Sequence, residues 1–428
     1  MLKNLRNDQD TFGFPPLAPA RRLVGRPRPL HVLHAGTVLL SGALLSAPAW
    51  AQLSDTVHPF VSVALNRDDN LFRLSDDSAR AVESRSDTMR SLIAGASFER
   101  PVGRQLLTGQ AKFSRVSFEH NDQLDYTGKD LSGDWGWFLG NHFDGHLGAA
   151  YSEVLAPFSD FNGTSERNLR KVRREYADGN WGFHPSWRLR AGYNRERYTY
   201  ELLSQRQNDR TETSVMTGVD YLAASGSTIG VQLRRLKGSY PFQESLGFTD
   251  NGYTQDEQKI SILWLVSGAT QVNFLGGFVQ RKHDFFSARD DRGTNGRLIV
   301  STAPTGQVKL NAQLYREYGA IEGAFVNSAL IKGIALGASW AATAKIDATA
   351  SYKHEKRDFS PYSLSGVQLP PSQLSDTSNR LSAGVTYRPW RNLSLQATVF
   401  RDRRSGSVAA GTTSYTAKGA AINATLQF

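Results

Sequence analysis

The chain has 428 residues, no cysteine and a formal net charge of +10. The lack of cysteine excludes a disulfide framework and a thiolate metal site. Beyond the N-terminal leader, no apolar run is long enough for a spanning helix, which excludes a helical membrane protein. Basic residues are scattered along the chain rather than clustered with stacking aromatics, so we expect no nucleic acid among the partners.

The N-terminal segment predicts secretion. Basic residues precede the short apolar run "TVLLSGALLSAP" (37–48), and the small residues Ala49 and Ala51 flank Trp50. A basic region, a short apolar run and a small-x-small site are typical of a cleaved secretory signal. We therefore predict that residues 1–51 are an extension with a signal peptide cleaved after Ala51, and that residues 52–428 form a single domain.

After residue 52, strand-like runs alternate with two kinds of connection. One kind is tight and rich in turn residues, such as "ERPVG" near 101 and "AASGS" near 225. The other kind is longer and polar, such as "RQNDRTE" (206–212) and "ARDDRGTNG" (288–296). Eight tight turns and nine long loops alternate strictly, which predicts eighteen strands, with sixteen as the alternative count.

Within the strands, apolar and polar residues alternate with a period of two. In "VKLNAQLY" (308–315) the valine, leucines and alanine share one face, and the lysine, asparagine and glutamine share the other. The final stretch "AINATLQF" repeats the pattern and places Ile422, Leu426 and Phe428 on one face. Each strand, of about ten residues, therefore has an apolar face and a polar face.

Two architectures fit this alternation. A soluble sandwich or propeller buries the apolar face, whereas a membrane barrel turns it toward lipid. The signal peptide, the missing cysteines, the alternating connections and the aromatic residues near strand ends favour the barrel. The predicted aromatic girdles contain Trp187, Trp340, Tyr387 and Trp390 beside the tight turns, and Tyr151, Tyr198, Tyr352 and Tyr362 toward the loops.

We therefore predict an all-β fold, a transmembrane antiparallel up-and-down β-barrel in the outer membrane of a Gram-negative cell. The first and last strands should pair, because an open edge cannot sit in hydrocarbon. The C-terminal strand then joins the strand near "HPFVSVAL" (58–65). With an even strand number, both termini and the tight turns face the periplasm, and the long loops are extracellular.

The polar face of each strand should line the lumen. The candidate pore-lining residues are Lys112, Asp134, Asp144, His146, Arg188, Arg190, Arg234, Lys309, Lys345 and Asp347. The basic residues among them form either a track for an acidic polysaccharide or part of a wall neutralised by acids, and the interleaving of both signs favours the neutralised wall. The same alternation places Trp135, Trp137, Trp181 and Phe183 on the lipid side, which favours interfacial anchoring over sugar stacking.

The sequence offers no catalytic site. "GASWA" (337–341) lacks the last glycine of a nucleophile elbow and lies in a strand rather than at a strand-to-helix turn. His146 is expected inward beside Asp144, a polar lumen contact rather than a catalytic pair, and the histidines show no metal-ligand spacing. We expect no enzymatic activity, no metal and no cofactor.

Four stretches resemble the EpsL family of outer-membrane proteins, which are associated with exopolysaccharide biosynthesis and grouped with β-barrel porins. They are "DDNLFRL" (68–74), "GKDLSGDWGWFLGNHFDGHLGAAYSEVLAPFSDF" (128–161), "REYADGNWGFHPSWRLRAGY" (174–193) and "GVDYLAASGSTIGVQLRRLKGSYP" (218–241). The resemblance implies a role in polysaccharide export or assembly, with the exopolysaccharide and its export apparatus as partners. It supplies no catalytic residues.

These observations predict a channel or assembly component for exopolysaccharide export. The alternatives are a general or substrate-selective diffusion porin, and a plugged barrel that acts as a surface scaffold or adhesin. Expected partners include outer-membrane lipid, lipopolysaccharide and the barrel-assembly machinery. The resemblance implies that the C-terminal strand, with Ile422, Leu426 and the terminal Phe428, presents its last aromatic residue to that machinery.

Overall fold

The computed structural model describes residues 56–78, 84–159, 164–243, 251–285, 290–320, 328–359 and 374–428. The predicted signal peptide, with Ala49 and Ala51, lies outside these residues, and so does Tyr362. In chain order the strands are β1 (Val57–Asp68), β2 (Asp87–Val102), β3 (Gln105–Phe118), β4 (Tyr126–Leu139), β5 (Phe143–Leu155), β6 (Leu169–His184), β7 (Trp187–Tyr200), β8 (Arg210–Leu222), β9 (Thr228–Ser239), β10 (Gly252–Leu265), β11 (Thr270–His283), β12 (Asp291–Thr302), β13 (Val308–Ala320), β14 (Ser328–Ala341), β15 (Ile346–Phe359), β16 (Ser375–Trp390), β17 (Leu393–Ser405) and β18 (Tyr415–Gln427).

The eighteen strands form one closed antiparallel sheet in which each strand pairs with its neighbours in sequence. β1 and β18 close it, with Val61 opposite Leu426 and Leu65 opposite Ile422. The Phe428 N–H donates to the Pro59 carbonyl oxygen at 2.9 Å, so pairing continues to the last residue. Closure leaves no strand edge unpaired, as a barrel in hydrocarbon requires. The predicted up-and-down barrel of eighteen strands is confirmed.

The connections sort to the two ends of the barrel as predicted. Tight turns join β2 to β3 and β4 to β5, where Gly103 and Gly140 adopt positive φ angles of 61° and 58° that favour glycine. Longer loops occupy the opposite, extracellular end, and among the described residues short 3₁₀ helices lie in three of them, at Asp122–Leu124, Leu203–Asn208 and Val408–Ala410. Among the described residues, no helix is both long and apolar enough to cross a membrane.

The strands are longer than the ten residues expected from the sequence. They range from 12 residues in β1 to 16 residues in β2, whereas about ten tilted residues cross a bilayer. The extra length lies toward the extracellular end, where outward side chains change from apolar to basic, as in the series Val61, Val63, Leu65 and Arg67 of β1. The expectation of ten residues was wrong because it counted the apolar segment alone.

Aromatic side chains mark the periplasmic end of the outer surface. Trp187, Trp340 and Tyr387 are exposed there, and Trp390 is 66% exposed. Tyr198, in contrast, is only 1% exposed and lies on the lumen face with the Arg210 guanidinium 3.8 Å from its ring centroid. Its assignment to the outer girdle was therefore wrong, because the alternation of β7 turns it inward.

The buried apolar residues do not fill the barrel. The largest cluster joins Phe72, Leu124 and Phe158, which come from three extracellular connections, to residues at the ends of β2, β3, β4 and β6. A second cluster joins Leu374 and Ala410, also from extracellular connections, to the ends of β14 and β15. The apolar packing therefore stabilises the extracellular mouth and leaves the lumen wall polar.

Candidate functional site: the lumen and its extracellular mouth

The barrel contains a cavity of about 1770 Å³. Its wall comes from inward residues of β1–β7 and β12–β18, a part of the wall that we call the open arc. It extends from His58 and Gln427 near the periplasmic end to Arg404 and Tyr415 near the extracellular end. Serine, threonine, asparagine and glutamine side chains lie between the charged ones, so the wall offers hydrogen-bond donors and acceptors along its length.

Most charged groups of the open arc occur as ion pairs. Lys112 Nζ lies 2.7 Å from a carboxylate oxygen of Asp130, although Asp130 was not among the predicted wall residues. Similar pairs are Arg297 with Glu317 at 2.6 Å, Lys353 with Glu355 at 2.9 Å and Arg380 with Asp402 at 2.5 Å. Acids and bases alternate around the wall, as the neutralised-wall interpretation expects.

Three predicted residues lie together on β4 and β5. Asp134 lines the cavity and accepts a hydrogen bond of 2.6 Å from the Tyr176 hydroxyl. Asp144 accepts a hydrogen bond of 2.8 Å from Asn180 Nδ2. His146 Nδ1 lies 3.4 Å from Asp178 Oδ2, so its partner is Asp178 on β6 rather than the expected Asp144. The register places His146 opposite Asp178, which explains the change of partner.

Arg188, Arg190 and Arg234 lie on a different part of the inner wall. Arg188 and Arg190 both pair with Asp220 of β8, at 2.7 and 2.8 Å. Arg234 of β9 pairs with Glu257 of β10 at 3.1 Å. All three face inward, but none lies on the surface of the cavity described above.

This second region is the inner face of β8–β11 together with Arg188 and Arg190 of β7. It is packed with polar side chains, and we call it the packed arc. Glu257 contacts both Arg234 and Lys259 and is 2% exposed. Arg281 is 1% exposed, donates from Nε to the Gln255 side chain at 2.8 Å and lies over the Tyr253 ring. The lumen is therefore asymmetric, with water-accessible volume beside the open arc.

The remaining candidates lie at the periplasmic end. Lys309 is exposed near the start of β13, and Asp347 of β15 pairs with Arg388. Lys345 was expected on the wet face of a strand, but it lies in the turn between β14 and β15, where Nζ donates to the Pro389 carbonyl oxygen at 3.0 Å. The Thr343 hydroxyl oxygen accepts hydrogen bonds from the backbone N–H groups of Lys345 and Ile346, which fixes the turn.

An arginine network narrows the extracellular mouth. Arg357 of β15 makes a two-bond pair with Asp376 of β16, at 2.9 and 2.8 Å, and Arg404 of β17 contacts the same carboxylate. Arg404 NH1 also donates to the Ser159 carbonyl oxygen at 2.6 Å. Ser159 follows β5, which lies six strands from β17, counting β18, β1, β2, β3, β4 and β5. The bond therefore holds a loop across part of the mouth.

The loop after β1 packs against the same structure. Phe72 is fully buried and meets the Phe158 ring edge-on, with centroids 4.8 Å apart. Arg73, at a φ of 55°, donates to both carboxylate oxygens of Asp68 at 2.9 and 2.7 Å. Burial opposes the charge of Arg73, but attraction and hydrogen bonding to Asp68 outweigh it, so the pKa of the guanidinium is raised. It stays protonated and fixes the loop.

Sequence reasoning missed several wall acids and the mouth network. Asp376, Asp402 and Glu355 are each at most 3% exposed and face the lumen. Their inward position follows from the alternation of their strands, so the signal was present. The contact between Arg404 and Ser159 spans 245 positions in the chain and has no local signal.

The C-terminal strand has the expected orientation. Ile422 and Leu426 face outward, and Phe428 is 62% exposed at the periplasmic end. Its proposed recognition by the assembly machinery stays a prediction. Within the described ranges, no group of three or more histidine, aspartate or glutamate side chains is arranged to hold a metal ion.

Comparisons of the chain with known proteins found matches among solved structures. No family model matches it, and no curated protein matches it. Solved structures that align with it include a BenF-like porin from Pseudomonas fluorescens Pf-5, at 12% identity and a TM-score of 0.46 over 88% of this chain and 100% of that one. Another is Pseudomonas aeruginosa OpdK with vanillate, at 11% identity and a TM-score of 0.45 over 87% and 99% of the two chains.

A third is the alcaligin outer-membrane receptor FauA from Bordetella pertussis, at 10% identity and a TM-score of 0.40 over 88% of this chain and 76% of that one. Sequence identities and TM-scores this low do not indicate the function of the chain, and they give no support to the EpsL resemblance. The class rests instead on the closed sheet, its apolar outer surface and its polar lumen. The protein is a multi-pass β-barrel of the Gram-negative outer membrane.

Proposed function

We propose that the protein is a substrate-selective diffusion channel for small hydrophilic solutes. The observation that carries this proposal is a polar cavity of about 1770 Å³ that runs beside the open arc and ends at a narrowed mouth. Water-filled barrels have polar interiors, and the groups that line a pore set what passes through it.

The arrangement of charge suits solutes that carry both donors and acceptors. Most guanidinium and ammonium groups of the open arc have a carboxylate nearby, as in the pairs of Lys112 with Asp130 and Lys353 with Glu355. Such a wall exchanges hydrogen bonds with hydroxyl-rich or zwitterionic solutes without holding one sign of charge strongly. Selection by size would then occur at Arg404, where the loop bond crosses the mouth.

A plugged barrel is the second candidate, and the loop packing at the mouth favours it. Phe72, Phe158 and Leu124 form a buried cluster there, and opening it would expose apolar surface to water, which is unfavourable in free energy. Exopolysaccharide export, the first expectation from the sequence, rests on the EpsL resemblance alone. An exported polymer would have to pass through the part of the extracellular mouth that is crossed by the hydrogen bond between Arg404 and Ser159.

Planar-bilayer recordings test these functions. We expect discrete conductance steps from the purified protein, and larger steps from Arg404→Ala, because the Ser159 loop loses its tether. Arg403→Ala is the matched control, since Arg403 is the neighbouring residue on the outward face. A silent wild-type protein and a silent Arg404→Ala variant would establish the plugged barrel. Block of an open channel by exopolysaccharide, without block by small sugars, would favour export.

A further inference from the structure

The outer surface carries an excess of basic side chains at one height. Exposed lysine and arginine residues recur on the outward face near the extracellular ends of most strands. On five adjacent strands, β17, β18, β1, β2 and β3, they form a continuous group that we call the basic patch. The basic patch consists of Arg401, Arg403, Lys418, Arg67, Arg90 and Arg115.

Strand register brings these side chains next to one another. Arg401 lies directly opposite Lys418. Arg67 lies opposite Ala420 and Thr88, which puts it diagonal to Lys418 on one side and to Arg90 on the other. Arg90 lies opposite Ser117, diagonal to Arg115. Directly opposed residues have Cβ atoms about 5 Å apart and diagonal neighbours about 7–8 Å apart.

Few acidic side chains of the protein offset the positive charge of the basic patch. In the part of the chain that the structure describes, Glu119 is the one acid within ion-pairing distance of the patch, 3.5 Å from Arg90. Like charges directly opposite each other on a sheet are destabilising. The facing pair of Arg401 and Lys418 therefore calls for an anion from outside the chain.

Several outward basic residues elsewhere on the barrel have acidic partners. Arg235 of β9 donates to both oxygens of Asp256, at 2.6 and 2.9 Å. Lys332 and Lys356 share Asp358, at 2.9 and 3.3 Å. These pairs sit at the same end of the barrel, so the chain can neutralise a basic side chain at this height, as it does not do for most of the basic patch.

The position of the basic patch identifies the kind of anion. One step toward the periplasm on the same faces lie the exposed apolar residues Leu92, Phe113 and Val399, and Ile422 lies two steps from Lys418 on β18. Arg90 and Leu92, for example, are successive outward residues of β2. The charges thus lie just above the surface that contacts acyl chains, at the depth of lipid headgroups, where basic side chains attract anionic lipid.

We propose that the basic patch is a binding site for a phosphorylated glycolipid of the outer leaflet, such as lipopolysaccharide. The phosphate groups would accept hydrogen bonds from Arg401, Lys418 and Arg67, and the acyl chains would cover Val399, Ile422 and Leu92. Guanidinium groups suit phosphate because they donate two parallel hydrogen bonds. The site lies on the outer wall and is independent of conduction through the lumen.

Lipid binding by the full-length protein in detergent tests the proposal. The probe is lipid A with two phosphates, compared with the dephosphorylated lipid that has the same acyl chains. Native mass spectrometry measures the fraction of protein with lipid bound across a concentration series. We expect the wild-type protein to bind the phosphorylated lipid at least about tenfold more tightly, because each basic side chain near an anionic headgroup contributes to binding.

The combined variant Arg67→Gln, Arg401→Gln, Arg403→Gln and Lys418→Gln should lose this preference. The matched control carries Arg235→Gln, Lys332→Gln and Lys356→Gln, which removes outward charge that is already paired, and should keep it. Equal binding of the two lipids to the wild-type protein would overturn the proposal, and so would an equal loss in both variants. The comparison of lipids on the wild-type protein remains decisive if the patch variant fails to insert.

Discussion

The inner wall of this barrel and the basic patch on its outer wall differ in how their charged side chains are paired. On the inner wall, Asp376 is surrounded by Arg357 and Arg404, and Glu257 by Arg234 and Lys259. On the outer wall, the basic patch has six positive side chains and, among the described residues, one acid within ion-pairing distance, Glu119. The inner charges are paired within the protein, whereas the charges of the basic patch are directed toward the membrane.

The difference follows from the solvent on each side. A buried inner charge is stable only with a partner and full hydrogen bonding, because the cavity wall removes much of its water. An outer charge at headgroup depth can remain solvated or bind a lipid anion, so the chain need not supply its partner. Substitutions should therefore cost more on the inner wall than at matched outer positions.

The largest effect is expected at Asp376. Asp376→Ala leaves the guanidinium groups of Arg357 and Arg404 facing each other, and both side chains are at most 8% exposed. We expect the free energy of unfolding to fall by about 3 kcal/mol or more, the usual result of breaking a buried ion pair from one side. Urea titration of the protein in lipid vesicles measures the change. A loss below about 1 kcal/mol would show that lumen water compensates the arginines.

A smaller effect is expected from a pair of glycines. An added Cβ at the inward Gly148 would meet the Tyr176 ring at 2.3–2.8 Å, whereas at the outward Gly133 the nearest atom is 4.0 Å away. Gly148→Ala should displace Tyr176 from Asp134 and cost about 1–3 kcal/mol. Gly133→Ala should change the free energy of unfolding by less than about 0.5 kcal/mol. Equal values for the two variants would contradict the packing described for the inner wall.

A smaller effect than at Asp376 or Gly148 is expected at Asp358 on the outer wall. This carboxylate pairs with Lys332 and Lys356, whose side chains are 46% and 50% exposed. Asp358→Asn should lower the free energy of unfolding by less than about 1 kcal/mol, because exposed ion pairs contribute little. The same urea titration provides the comparison. A cost as large as that of Asp376→Ala would remove the distinction between the two walls.

Much of the fold could be predicted from the sequence because a barrel repeats one simple rule. Alternation in short segments gave the lumen face of Lys112, Asp134 and Arg188, and the turn residues gave the strand number. Where alternation was set aside, the prediction failed. Tyr198 was assigned to the girdle by its place near a loop, although the parity of β7 turns it inward.

Contacts between distant segments could not be predicted in the same way. His146 faces Asp178 because of the register between β5 and β6, and a single sequence does not specify that register. Lys345 lies outside the wall because β15 begins only at Ile346, after a turn held by the Thr343 hydroxyl. The loop bond from Arg404 to Ser159 depends on closure of the whole barrel.

Swelling of liposomes that contain the wild-type protein tests the central claim most directly, namely that the lumen is a selective path for small hydrophilic solutes. Liposomes are diluted into isosmotic solutions of a monosaccharide, a trisaccharide or a large dextran, and swelling is followed by light scattering. We predict rapid swelling with the monosaccharide, slower swelling with the trisaccharide and none with dextran. No swelling with any sugar, from protein shown to be folded and inserted, would contradict the account.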